Sequence, residues 1–135
     1  MGAVEQQRSL EQIEGHAWGD PPAGATRLIE TVHELRRRPV SELTVEDLRV
    51  LLGQQVGLDV LVPVALEVLA VEPLAEGDFF PGDLLSAMLR LPVDYWKVHA
   101  EWAARLRGIV AGVRPDEVDD DNLQHEILAF RDGRH

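Results

Sequence analysis

Cysteine is absent from all 135 positions. That excludes disulfides, thiolate nucleophiles and cysteine-ligated zinc, and it suits a reducing compartment. Basic side chains are scarce, 13 Lys and Arg against 24 Asp and Glu, which gives a formal charge of −11. A field of that sign repels nucleic acid and anionic membrane and speeds encounter with a basic partner, although acidity also serves plain solubility. The longest apolar run falls short of the ~20 residues of a membrane span. The N-terminal VEQQRSLEQIEG is polar, with no basic-then-apolar leader, so a cytoplasmic protein is expected. GxGxxG, the P-loop, GxSxG and HExxH are all missing. His125 and Glu126 lack a second histidine four residues after the first. DEVDDDNLQHE lacks the central glycine and the alternating ligand register of a calcium loop. No catalytic residue, metal or cofactor is therefore expected. His33 and His99, on or beside apolar helix faces, read as satisfied core histidines.

What the chain does have is helix-forming pattern. Its length suits one domain with a single core. The run LDVLVPVALEVLAV, residues 58–71, carries charge only at Asp59 and Glu67 and is apolar in every helical direction. Such a helix must be wrapped by others. A strand is disfavoured by its length and by Pro63, which a first helical turn tolerates. Around it the spacing predicts an all-α, single-domain compact bundle of about six or seven helices with this one buried at the centre.

Residues 1–15 allow a short helix anchored by Leu10 and Ile13 and ended by Gly15. The following HAWGDPPAGA is a loop, so residues 1–24 are expected to attach loosely to a helical domain of residues 25–135, with Trp18 pinning the loop. Thr26 opens an amphipathic helix whose face is Leu28, Ile29, Val32 and Leu35. Arg36, Arg37 and Arg38 then complement its negative end before Pro39. Thr44 and Asp47 form a capping-box pattern for a helix burying Val45, Leu48, Leu51 and Leu52, with Gly53 or Gly57 at its exit. Pro81 suits the first turn of a helix over 82–90, which Pro92 ends. One longer helix is expected over 94–111, with Tyr95, His99, Trp102, Leu106, Ile109 and Val113 inward. A last helix opens at Asp119, Asp120 and Asp121 and is anchored by Leu123, Ile127 and Phe130.

The connection EPLAEGDFFPGDLL has the composition of a recognition loop. Glu72, Glu76, Asp78 and Asp83 would attract a basic partner, while Phe79 and Phe80 offer aromatic anchors. Against this, at least one phenylalanine is expected to tuck inward. A second acidic set, Asp116, Glu117, Asp119, Asp120 and Asp121, is the alternative contact.

The segment ELTVEDLRVLLGQQVGLDVLVPVALEVLAVEPLAEGDFFPGDLLSAML resembles the core of the contact-dependent growth inhibition (CDI) system immunity proteins. The resemblance also takes in the upstream VHELRRRPV. Its most specific parts are TVEDLR–LxxGQ–GL and PLAEGDFFPGDLL, and it spans about residues 29–91, continuing weakly through DYWK. It implies a small cytoplasmic, non-catalytic protein that binds the C-terminal toxin domain of a surface-delivered effector and neutralises it. Such toxins are frequently nucleases with basic clefts, and an acidic inhibitor would mask one as bacteriocin immunity proteins do. The alternative is an acidic helical adaptor or scaffold that joins another complex.

Overall fold

The computed structural model describes residues 7–133. Among them are eight α-helices and no strand: α1 (Leu10–Glu14), α2 (Arg27–Leu35), α3 (Val45–Gly53), α4 (Leu58–Val71), α5 (Asp83–Leu89), α6 (Val93–Val98), α7 (Ala100–Ala111) and α8 (Asp121–Arg131). Two single 3-10 turns, Val40–Glu42 and Pro115–Glu117, complete the order. The architecture is a compact all-α bundle, as the sequence pattern predicts.

The capping chemistry is built as expected. The Thr44 hydroxyl accepts the Asp47 N–H while the Asp47 carboxylate accepts the Thr44 N–H, which fixes the start of α3. Asp120 accepts the Leu123 N–H and starts α8. α3 ends at Gly53, one of the two glycines expected at its exit. Neither glycine provides its left-handed residue; Gln55 does, at φ 55°. Gly57, at φ 65°, opens α4 instead. Pro63 falls in the second turn of α4 rather than the first, so the Asp59 carbonyl lacks its intrahelical donor.

Burial redistributes the expected faces. In α4 one face is fully enclosed through Leu61, Val62, Ala65, Leu66 and Leu69. The opposite face is only half-covered at Val60, Val64 and Val68, and Val71 is 88% exposed. The most enclosed helix is the shorter α5, where every residue except Ala87 is buried, because α3, α4 and α8 surround it. On α2 the buried positions are Val32, His33 and Leu35, while Leu28 and Ile29 are exposed. The single helix expected over 94–111 breaks at His99 (φ −111°, ψ 57°), which ends α6 and starts α7. The break turns Trp96, Ala103, Leu106, Val110 and Val113 inward. Tyr95, His99 and Trp102 stay half-buried as a stack, with His99 parallel to Trp102 at 4.4 Å. The Tyr95 hydroxyl donates to Asp59, and burial with that bond pushes its phenol well above the ordinary range.

Arg36 is the main departure. It does not complement a helix end in solvent; it is 1% exposed. Its guanidinium pairs with Glu14, donates to the His16 carbonyl (2.6 Å) and lies 4.2 Å over the Trp18 ring. Backbone bonds from Glu11 N to the Arg36 carbonyl and from Val40 N to the Arg8 carbonyl add to this attachment. His33 is satisfied by Nδ1–H donation to the Gly19 carbonyl at 3.2 Å, and Trp18 meets its ring edge-on.

Arg36→Ala is expected to cost about 2–4 kcal/mol, since it strands Glu14 and opens a gap under Trp18. The half-exposed Arg37→Ala should cost under about 1 kcal/mol. Urea unfolding of both variants measures the contrast, and equal losses would contradict it.

Candidate functional site

The loop between α4 and α5 is folded around one carboxylate. Asp83, the first residue of α5, is only 3% exposed. It accepts the Gly77 N–H at 2.7 Å, the Phe79 N–H at 3.1 Å and the Phe80 N–H at 3.4 Å. A carboxylate at a helix N-terminus is well placed to gather such donors. The Gly82 N–H to the Leu74 carbonyl, and the facing pair Glu76 and Pro81, close the loop's neck. Pro81 thus precedes the helix instead of lying in its first turn.

A second carboxylate ties the tip to α3. Glu46 accepts the Asp78 N–H at 2.9 Å and holds Arg49 through both oxygens, at 2.7 and 2.5 Å. That paired guanidinium holds the Glu46 carboxyl below the ordinary carboxylate range, with the Asp78 N–H assisting and partial burial opposing. Glu46 in turn raises the Arg49 guanidinium further. Arg49 lies 4.0 Å from Asp83, and its Cζ sits over the Phe79 ring, 4.4 Å from the ring centre.

The expected contact residues therefore separate. Glu72, Glu76 and Asp78 are exposed, and Asp83 is buried with its carboxylate occupied. Phe80 turns inward onto the core, whereas Phe79 stays 69% exposed, held by Arg49. In the second acidic set, Asp116, Glu117, Asp119 and Asp121 are exposed and Asp120 is the cap. Arg114 lies 3.9 Å from Asp116 and donates to Glu117 at 2.7 Å. The two sets adjoin: a Cβ at Gly82 would sit 2.5 Å from the Leu123 side chain, so the first turn of α8 packs directly on the loop.

Sequence reasoning missed Glu46, Arg49 and Arg90. The first two lie in the TVEDLR stretch, three residues apart on one helix, a spacing that signals pairing. Arg90 donates to Glu126 at 2.9 Å, and Ser86 donates to the same carboxylate at 3.1 Å. Between α3 and α5, Arg49, Ser86 and Arg90 border an open groove of about 530 Å³. Its lining comes from Leu52, Phe79, Phe80, Ala87 and Leu91, with Arg49 and Arg90 beside them.

Among the described residues, no group of three His, Asp or Glu side chains is placed to hold a metal, and no helix is long and apolar enough to cross a membrane. The fold and this face define a small acidic helical domain that presents an ordered aromatic loop beside a groove. The chain belongs to the family of CDI immunity proteins, whose sequence model matches residues 12–106. Membership carries an immunity role, and with it a cognate toxin protein as partner. No curated protein matches the chain.

Two measurements test the loop's construction. In Gly77→Ala the new Cβ would meet Glu46 Oε1 at 2.6 Å and the Asp83 carboxylate at 3.0 and 3.2 Å. The expected loss is about 1–3 kcal/mol. Gly53→Ala, with nothing within 4 Å, should be neutral or mildly stabilising. Chemical denaturation that ranks the two the other way would contradict the loop geometry. The second measurement uses pH. Because Glu46 titrates below its unfolded value of 4.5, its contribution is complete above that pH and is lost as pH falls through the folded value. The stability difference between the natural chain and Glu46→Gln should stay flat down to about pH 4.5 and narrow below it. A difference that widens on acidification would contradict this.

Proposed function

We propose that the protein neutralises its cognate toxin domain by non-catalytic binding, with the 72–82 loop as the central contact. The observation that carries this is Phe79, a large apolar side chain kept exposed by a guanidinium and three ordered backbone bonds rather than folded away. Exposing an aromatic costs stability, and a pre-ordered one loses little entropy on binding. Glu72, Glu76 and Asp78, exposed on the same connection, add negative charge, which suits a basic toxin such as a nuclease. The second acidic set, starting at Asp116, extends the same field across the adjoining α8 turn. Asp83 contributes by shaping the loop and not by touching the toxin. The protein acts in the cytoplasm, where a delivered toxin would meet its target.

The test is copurification and kinetics with the C-terminal toxin domain of the cognate CDI effector. Glu72→Lys, Glu76→Lys and Asp78→Lys together should slow association and flatten its salt dependence, since screening shortens such fields to about 8 Å at physiological ionic strength. Phe79→Ala should act on dissociation, costing about 2 kcal/mol or more. An adaptor of another complex would show no binding to that domain. Binding that is indifferent to all four changes would move the contact away from the loop.

A further inference from the structure

The groove beside Phe79 has a chemistry opposite to the protein's overall charge. Its floor is apolar, formed by Leu52, Phe80, Ala87 and Leu91. Its border carries two guanidiniums, Arg49 and Arg90, and the carboxylates in and beside it are already engaged. Asp83 is occupied by three backbone N–H groups, Glu46 by Arg49 and the Asp78 N–H, and Glu126 by Ser86 and Arg90. Arg90 is different. Its side chain is 64% exposed and only Nε is engaged, so Nη1 and Nη2 make no hydrogen bond among the described residues. Arg49 likewise uses Nε and Nη2 on Glu46, and Nη1 makes no hydrogen bond among the described residues. A surface segment that fills this groove must bring a large apolar side chain for the floor and acceptors for the two guanidiniums.

We infer that the α3–α5 groove receives a segment of the toxin domain that presents an apolar side chain next to a carboxylate. This rests on the immunity function proposed above and specifies the partner's chemistry at the same face. The exposed carboxylates and the groove then do separate jobs. A diffuse acidic field accelerates encounter with any basic protein and discriminates poorly. An apolar pocket flanked by guanidiniums recognises a particular side chain beside a particular negative charge, which is a basis for telling one toxin from another. A second copy of this chain is a poorer occupant, because its net charge of −11 opposes self-association.

The sign of one substitution separates the groove from the general field. Arg90→Gln makes the chain more acidic, so a contact governed only by attraction to a basic toxin would hold or tighten. Recognition of a carboxylate predicts instead that affinity for the toxin domain falls by about tenfold or more, mainly through faster dissociation. Arg27→Gln on the exposed start of α2 makes the same change in net charge and serves as the control. Ala87→Phe fills the groove from α5 and should weaken binding by a similar factor; circular dichroism checks that it folds. If it does not fold, Gln55→Gly, which removes a lining side chain and relieves a left-handed glutamine, takes its place and should also weaken binding. The inference is overturned if the natural chain binds the toxin domain while Arg90→Gln behaves as Arg27→Gln does, or while the groove-altering variant binds unchanged. If the natural chain itself fails to bind, the immunity proposal falls, and this inference with it.

Discussion

A single buried carboxylate governs the face of this protein. Asp83 begins α5, the most enclosed helix in the bundle, and draws in the amides of Gly77, Phe79 and Phe80. Burying a carboxylate is costly unless charge-assisted hydrogen bonds compensate, and these three supply that compensation. In return the loop acquires a fixed shape on a rigid support. Without that anchor an eleven-residue connection with two prolines, Glu72 to Gly82, would sample many conformations, and an exposed Phe79 would have little reason to stay in one place.

The second constraint is the bridge from loop to α3. Glu46 is shared between Arg49 and the Asp78 amide, so the guanidinium under Phe79 is itself held by a bidentate partner. Order passes from helix to carboxylate, to arginine, to aromatic ring. That chain of contacts holds the exposed aromatic in one place on the surface. It also leaves the groove between α3 and α5 bordered by arginines in an otherwise acidic molecule.

Much of the architecture could be read from residue spacing, because it is local. The Thr44–Asp47 cap, the acidic start of α8 and the anchors Leu123, Ile127 and Phe130 all follow from short-range pattern. What could not be read depends on partners distant in the chain. Arginines 36–38 look like one solvated helix end, yet Arg36 alone is buried, because Glu14, the His16 carbonyl and Trp18 come from another segment. The spacing of Tyr95, His99, Trp102 and Leu106 is nearly as regular across the break as through a continuous helix, so nothing local marks His99 as a junction. All-round apolarity in α4 signalled burial but could not say that one face would be left half-covered. Within the candidate site, composition singled out the 72–83 segment, but only the fold separates Asp83, which builds the loop, from Glu76 and Asp78, which face solvent.

The central claim is that toxin meets the protein at this loop and its neighbouring groove. Hydrogen–deuterium exchange of the chain, alone and bound to the cognate toxin domain, tests it most directly. The account predicts that new protection on binding concentrates in the loop tip around Asp78 and Phe79, the exit of α3 around Gln55, and the end of α5 around Arg90. Protection confined to α1 and α2, with exchange at these three places unchanged, would contradict it.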